Sequence, residues 1–196
     1  MTHLIRKVEL PAGTALIGNV GIDQTTPGTT NKVVASGLGY HSQITLTRTA
    51  DTNAYAAGDV IGSSVSAGGA VLTFTNMGAA AGDIMITDAD LMIQVASVPS
   101  GMTSFRLQLY SVTPPGNLAD NAAWDLPSGD WASYLGYIDL GTPVDVGSAL
   151  FVQSGSVNKK IRLGASTSLF AYLQTIGAYT PSSAAVKLIR LNAVGI

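Results

Sequence analysis

From residue 40 to the end of the chain, apolar and polar residues alternate with a period of two in short runs. Such alternation is typical of β-strands that bury one side. In residues 105–110, for example, Phe105, Leu107 and Leu109 share one side, opposite Arg106 and Gln108. The pattern predicts strands at Gln43–Thr47, Val71–Thr75, Ile84–Thr87, Leu91–Val95, Phe105–Tyr110, Tyr137–Leu140, Ala149–Gln153, Lys160–Leu163, Leu169–Gln174 and Ala185–Leu191.

Gly, Pro, Asn and Asp separate these runs, and this spacing predicts an all-β sandwich or barrel. The last run departs from strict alternation at Ile189–Arg190, which predicts a β-bulge there. The pattern predicts no long helix. The exceptions are two single turns predicted within residues 118–136, one of which Asp130 caps over residues 131–135 and Gly136 ends.

Residues 1–39 differ from the rest because they are rich in Gly, Thr and Pro. Their short apolar pieces cannot bury a core of their own, so we predict an extended N-terminal arm (1–39) followed by a β-sandwich domain (40–196). A surface loop region with one or two edge strands is the alternative. The arm residues predicted to contact a partner are Leu16, Ile17, Val20 and Ile22.

Only 11% of the residues are charged, against about 25% in an ordinary protein. A charge-poor surface is easier to explain if other subunits cover it, so we predict a homo-oligomer. Glu9 is the single glutamate, and there are two histidines and no cysteine. Because catalysis and metal binding use these residue types, we predict no enzyme activity, no metal and no cofactor.

The net charge of −2 argues against direct nucleic-acid binding, which needs clustered Lys and Arg. The N-terminus lacks the apolar run of a signal peptide. The longest charge-free stretches, 60–82 and 163–186, contain Gly, Ser, Gln or Pro. They do not resemble a membrane-spanning helix. We therefore expect a protein that is made in the cytoplasm and has no membrane contact.

Five aspartates are candidates for chemistry. Asp88 and Asp90 would lie on the same side of a strand, and Asp120, Asp125 and Asp130 recur every five residues in a loop. Clustered carboxylates can bind a hard cation such as calcium. Asp is also a common turn and cap residue, and we favour that interpretation over a structural cation.

Two further groups have a structural interpretation that we favour. His41, Ser42 and Asp51 have the residue types of a catalytic triad, but no nucleophile-elbow motif accompanies them, and His41 fits the polar start of a strand. The basic cluster Lys159-Lys160-Ile161-Arg162 fits a solvated hairpin tip. Contact with an acidic partner is its alternative.

Four aromatic residues, Trp124, Trp131, Tyr134 and Tyr137, lie within 14 residues of one another. Aromatic side chains in such a loop can plug the end of a sandwich, anchor a subunit contact or stack on sugars. The sequence leaves all three interpretations open, with the plug favoured.

Several segments resemble structural proteins of tailed bacteriophages. They are Ile17–Asn31 (IGNVGIDQTTPGTTN), Leu46–Ile61 (LTRTADTNAYAAGDVI), Asp120–Leu126 (DNAAWDL) and Tyr134–Leu140 (YLGYIDL). Together these segments are similar to the cement, or decoration, proteins that coat the heads of short-tailed phages. They carry no catalytic signature.

The resemblance implies a jelly-roll-like β-sandwich and an oligomer, commonly a trimer, that binds the major capsid protein on the capsid exterior. It therefore predicts a non-enzymatic cement protein that stabilises the head by bridging capsid subunits. The alternative is a tail-fibre or receptor-binding module that recognises a host glycan through the loop containing Trp124 and Trp131.

Overall fold

The computed structural model describes residues 38–196, and the structural statements that follow concern this range. A single 3₁₀ turn, Ser128–Asp130, is the helical element of the range. All other regular structure in these residues is β-strand: β1 Gly39–Thr47, β2 Val60–Ile61, β3 Val71–Phe74, β4 Asp83–Ile93, β5 Phe105–Tyr110, β6 Tyr134–Gly141, β7 Val144–Asp145, β8 Leu150–Ser154, β9 Lys159–Arg162, β10 Leu169–Thr175 and β11 Val186–Gly195.

The strands form two antiparallel sheets. The first sheet has the order β1-β11-β4-β8-β7, and β9 also pairs with β4. The second sheet has the order β2-β10-β5-β6, and β3 also pairs with β10. Strands that are distant in the chain are therefore neighbours, with the first described strand beside the last. This order is that of a jelly roll, so the predicted all-β, jelly-roll-like sandwich is confirmed.

The main core consists of the side chains that alternate to the inner side of both sheets. β5 shows the predicted pattern, because Phe105, Leu107 and Leu109 are fully buried in this core. The first sheet contributes residues such as Leu91 and Ile189. Burial of these apolar surfaces provides the main driving force for pairing the sheets.

β4 joins two of the predicted strands, 84–87 and 91–95, into one. A bulge makes this possible: Asn192 of β11 pairs with Asp88, whereas Ala193 pairs with Ile86, so Thr87 is an extra residue. The extra residue changes which positions face inward. Ile84 and Ile86 are buried before it, and the odd-numbered positions 89, 91 and 93 are buried after it.

In β11, the bulge predicted at Ile189–Arg190 is wrong. The strand pairs with β1 without a register shift, and its alternation is unbroken because Lys187 takes an inward position. The sequence pattern looked broken there because a charged residue stands where an apolar one was expected. The irregularity of β11 lies instead in its pairing with β4, where Thr87 is the extra residue.

The turn predicted over residues 131–135 is shorter than expected: it covers residues 131–133, and Gly136 lies inside β6 and does not end it. The 3₁₀ turn ends at Asp130, and β6 begins at Tyr134. Asp130 does not cap Trp131, because both its carboxylate oxygens accept from the backbone N–H of Gly116 (3.2 and 3.3 Å).

The predicted arm, residues 1–39, lies almost entirely outside the described residues, and its boundary stays a prediction. Between residues 38 and 196, no helix has the length and apolar character needed to cross a membrane.

Candidate interaction surface

The outer side of the second sheet is covered by residues 111–133, which connect β5 to β6 and are called the covering loop. Tyr110 and Tyr172 point outward from the sheet and are fully buried beneath it. Trp124 and Leu118 of the loop pack on them. The Trp124 Nε1–H donates to the Tyr110 hydroxyl (3.3 Å), and the Leu118 N–H donates to the Tyr172 hydroxyl (3.0 Å). Burial raises the pKa of Tyr110 to about 12. We call this surface the covered face.

The outer side of the first sheet, called the open face, has no comparable cover within residues 38–196. Strand register places apolar residues from four strands next to one another here: Leu188 pairs with Met92, Met92 with Phe151, and Phe151 with Val144. Val144 is 63% exposed, and the other three are half-buried. With the half-buried Val186, they form the apolar band. The band borders a shallow depression of about 310 Å³.

A polar band lies beside the apolar band on the same face. His41, Asn192 and Asp88 align across three strands. The His41 Nδ1–H donates to Asn192 Oδ1 (2.7 Å), and Asn192 Nδ2 donates to Asp88 Oδ1 (2.6 Å). In the next row, Arg190 Nε donates to Gln43 Oε1 (3.2 Å). Asp90 completes the polar band.

Asp90 is the incompletely bonded member of this band. Its side chain is 9% exposed, and its Oδ1 has no hydrogen-bond partner among the described residues. Burial and the neighbouring Asp88 raise the pKa of Asp90, while Arg190 and His41 oppose the shift. A buried acceptor without a donor costs free energy. A donor from another molecule that reached this position would remove the cost.

A buried polar cluster connects the covering loop to the body of the sandwich. Asp120 Oδ1 accepts from the Tyr55 hydroxyl and the Gly62 N–H (2.7 Å each), and its Oδ2 accepts from the Thr49 hydroxyl (3.1 Å). Arg48 Nε donates to the Tyr55 hydroxyl (2.8 Å) and lies 3.8 Å from Asp120 Oδ2. Burial and Asp120 raise the pKa of Tyr55. The occupied oxygens of Asp120 give this cluster a structural role.

Lys187 lies on the inner side of β11 and is 1% exposed. Its Nζ has no hydrogen-bond partner in the described part of the chain. Burial, with a smaller contribution from Arg48, lowers its pKa from 10.5 to about 8, and Asp120 opposes the shift. The first sheet therefore carries a buried amine that has no hydrogen-bond partner among the described residues and lies near the charges of Arg48 and Asp120.

The predicted turn or cap role fails for Asp88 and Asp90, which lie inside β4. Asp120 lies in a turn but acts through the cluster described above. Asp125 bonds only to the N–H of the next residue (2.9 Å). The Asp130 carboxylate accepts a hydrogen bond from the backbone N–H of Gly116. In the range 38–196, no group of three or more His, Cys, Asp or Glu side chains is arranged to hold a metal ion.

The residues with the types of a catalytic triad, His41, Ser42 and Asp51, do not come together in a site. His41 is exposed on the open face and Ser42 is buried on the opposite side of β1. His41 thus has the predicted role of a polar residue near the start of a strand.

The basic cluster is not a hairpin tip, because Lys159–Arg162 forms β9, where it pairs with β4. Lys160 and Arg162 are exposed there.

The four aromatic residues separate into two pairs. Trp124 and Tyr134 pack together on the covered face with ring centroids 6.0 Å apart, so they are packed inside the protein but on the outer side of the second sheet and not at the end of the sandwich, where the plug was predicted. Trp131 is 67% exposed and Tyr137 is 47% exposed. Arg106 lies over the Tyr137 ring at 4.6 Å.

The predicted contact residues Leu16, Ile17, Val20 and Ile22 lie outside the described residues.

The sequence analysis did not predict the apolar band, although β11 gave a signal for it: Val186 and Leu188 are apolar on one side, as Ile189 and Leu191 are on the other. A strand that is apolar on both sides needs cover on both. The cluster of Arg48, Tyr55 and Asp120 had no local signal, since its members are far apart in the chain.

No protein-family model matches the chain, and no curated protein matches it. All of this chain (100%) aligns with 90% of a chain from the structure of Mud Crab Dicistrovirus, with 12% identity and a TM-score of 0.31. For the native virion of Kashmir bee virus at neutral pH, 98% of this chain aligns with 86% of the other, with 14% identity and a TM-score of 0.29.

A marine algae virus of the order Picornavirales aligns over 100% of this chain and 88% of the other, with 12% identity and a TM-score of 0.28. Similarities at this level assign neither a family nor a function to the chain.

Proposed function

We propose that this protein is a structural protein of a bacteriophage particle, a decoration protein that binds the exterior of the head and bridges subunits of the major capsid protein. The observation that carries the proposal is the open face, where an apolar band from four strands borders the unsatisfied Asp90. An apolar centre with polar groups beside it is the usual anatomy of a protein interface. The distant similarity to virion chains is not part of the support.

The charge-poor composition and the segments that resemble phage cement proteins support the same proposal. Pressure from packaged DNA pulls capsid subunits apart. A subunit that buries surface on both sides of a junction resists this separation. A homotrimer would present three open faces to the lattice, and their avidity would convert modest single contacts into firm binding.

Co-sedimentation with expanded phage capsids that lack this protein tests the proposal. We expect the purified chain to pellet with capsids, and Val144→Asp and Leu188→Asp to weaken binding about tenfold or more, because each buries an unpaired charge in the interface. Val98→Asp is the matched control, since Val98 is also an exposed valine (40%) but lies outside the open face. Binding of all variants equal to that of the parent chain would reject the open face as the contact.

A second candidate function is glycan recognition by a tail-fibre or receptor-binding module. Exposed Trp131 favours it, because a Trp side chain in water can stack on a sugar ring. Sugar binding that is lost in Trp131→Ala and retained in Val144→Asp would support this function and contradict the decoration proposal. Density on the tail in electron micrographs of the virion would do the same.

A further inference from the structure

The free side of β1 is the longest unprotected strand edge among the described residues. β1 pairs with β11 along all nine of its residues, and no described strand lies on its other side. The strand contains no Lys, Arg, Asp, Glu or Pro and no bulge. Proteins commonly use such features to prevent an edge from pairing with another chain. β1 therefore has the properties of an acceptor for an added strand.

The other described edges are blocked. β9 carries Lys159, Lys160 and Arg162. β7 and β3 are short, with two and four residues. β2 is covered by the chain around residue 122, because the Val60 N–H donates to the Ala122 carbonyl (2.8 Å). β6 is irregular, with two register shifts against β5 and a positive φ of 84° at Gly136. The contrast points to β1 alone.

The core beneath β1 is also incomplete at this edge. Tyr40 and Ile44 point toward the main core but are only half-buried, whereas Leu46 is fully packed. A further strand on the free side of β1 would cover the exposed parts of Tyr40 and Ile44 with its own apolar residues. Strand addition would thus gain backbone hydrogen bonds and apolar burial together.

We propose that residues 15–23 of a neighbouring copy of this chain add a strand to β1. In this segment Leu16, Gly18, Val20 and Ile22 recur with a period of two, which matches the inward positions 40, 42, 44 and 46 of β1. The segment is as long as β1, and Asp23 at its end is its only charged residue. The neighbouring copy rests on the homo-oligomer of the proposed function.

The connection to β1 favours a neighbour over the same copy. Residues 24–38 separate the segment from β1, and these 15 residues exceed the two to five of a usual hairpin loop. Fully extended, they span up to about 50 Å, which is enough to reach an adjacent subunit. Head-to-tail donation around a ring gives a closed oligomer such as a trimer.

Hydrogen exchange measured by mass spectrometry tests the inference on the full chain, a chain that lacks residues 1–37, and the double variant Val20→Lys/Ile22→Lys. The matched control is Asn19→Lys, on the other side of the period-two pattern. We expect amides of β1 to exchange on the order of tenfold faster in the deletion and the double variant. Exchange in the β9 peptide should be unchanged in both altered chains. Light scattering should show that both altered chains are monomers. Circular dichroism and retained β4 protection verify the fold.

Unchanged β1 protection in both altered chains would overturn the inference. If the full chain is already a monomer and the altered chains still lose β1 protection, donation by a neighbour is overturned. That result would indicate that the segment pairs with β1 of its own copy. Protection that persists in the deletion and increases with protein concentration would indicate β1 pairing with β1, and also overturns it. Capsid binding is a separate measurement. If Val144→Asp loses capsid binding while β1 stays protected, the result tests the proposed function and leaves the strand addition unaffected.

Discussion

The two outer faces of this sandwich differ in how their apolar residues are covered. On the second sheet, Tyr110 and Tyr172 are sealed by the covering loop of the same chain. On the first sheet, the apolar band of Val144, Phe151 and its neighbours stays in contact with solvent. One face is therefore completed within the chain, and the other is suited to completion by a partner.

Polar groups follow this division in part, because Asn121 Oδ1 of the covering loop is also buried without a hydrogen-bond partner among the described residues. On the covered face, the Tyr134 hydroxyl donates to Gln108 Oε1, and Gln108 Nε2 donates to Gln174 Oε1 (2.7 Å each). Gln174 Nε2 then donates to the Gly58 carbonyl (3.0 Å). On the open face, Asp90 Oδ1 has no donor among the described residues. A satisfied network stabilises a surface that is already buried, whereas an unsatisfied acceptor favours a partner that brings a donor.

The largest expected effect comes from the attachment of the covering loop. Asp120→Ala should lower the free energy of unfolding by about 3 to 5 kcal/mol, because the Tyr55 and Thr49 hydroxyls and the Gly62 N–H lose a buried acceptor, while Arg48 keeps its ion pair with Asp51. Urea denaturation measures the loss. Hydrogen exchange should accelerate in residues 111–133 and stay unchanged on the open face. A loss below about 1 kcal/mol would show that the loop is held without this carboxylate.

Truncating one aromatic residue on each face compares the faces directly. Tyr110→Ala should cost about 3 to 5 kcal/mol, since it removes a fully buried ring from between Tyr134 and Tyr172. Phe151→Ala should cost about 1 kcal/mol, because its ring is half-buried. Chemical denaturation of the isolated protein measures both. Equal costs would mean that the open face is packed like the covered face.

The inner sides of the sheets differ as well, because Lys187 places an unpaired amine under the open face. Lys187→Met should raise the free energy of unfolding by about 2 to 3 kcal/mol near neutral pH. In the parent chain, the folded-state pKa of about 8 lies below the ordinary 10.5, so the unfolded chain binds more protons between these values. Stability should therefore rise with pH across this window.

Denaturation of both chains between about pH 7.5 and about pH 9.5 measures this difference before most tyrosines ionise. The advantage of Lys187→Met should shrink as pH rises. A constant advantage would mean that Lys187 keeps its proton, and thus that it has a partner in solution.

The smallest effect is expected at Trp131, the exposed aromatic residue of the covering loop. Trp131→Ala should change the free energy of unfolding by less than about 0.5 kcal/mol, because the indole makes one hydrogen bond to the Leu126 carbonyl and is mostly in water. Thermal unfolding measures it. A loss similar to that of Tyr110→Ala would place Trp131 in the cover itself.

The sequence by itself determined the fold class and most strand positions. In β5 and β8, alternating apolar residues directly report which side faces the main core, because a period of two is the geometry of a strand. The same local rule misplaced a bulge in β11, since Lys187 is buried although its residue type predicts exposure.

Only the tertiary structure decided which outer face is covered. The bonds of Asp120 to Tyr55 and Thr49 join residues about 65 to 71 positions apart, and no local pattern encodes that distance. The apolar band likewise arises from register, which brings single residues of β11, β4, β8 and β7 side by side. Alternation specifies the side on which each residue lies, but strand order and pairing decide which residues become neighbours.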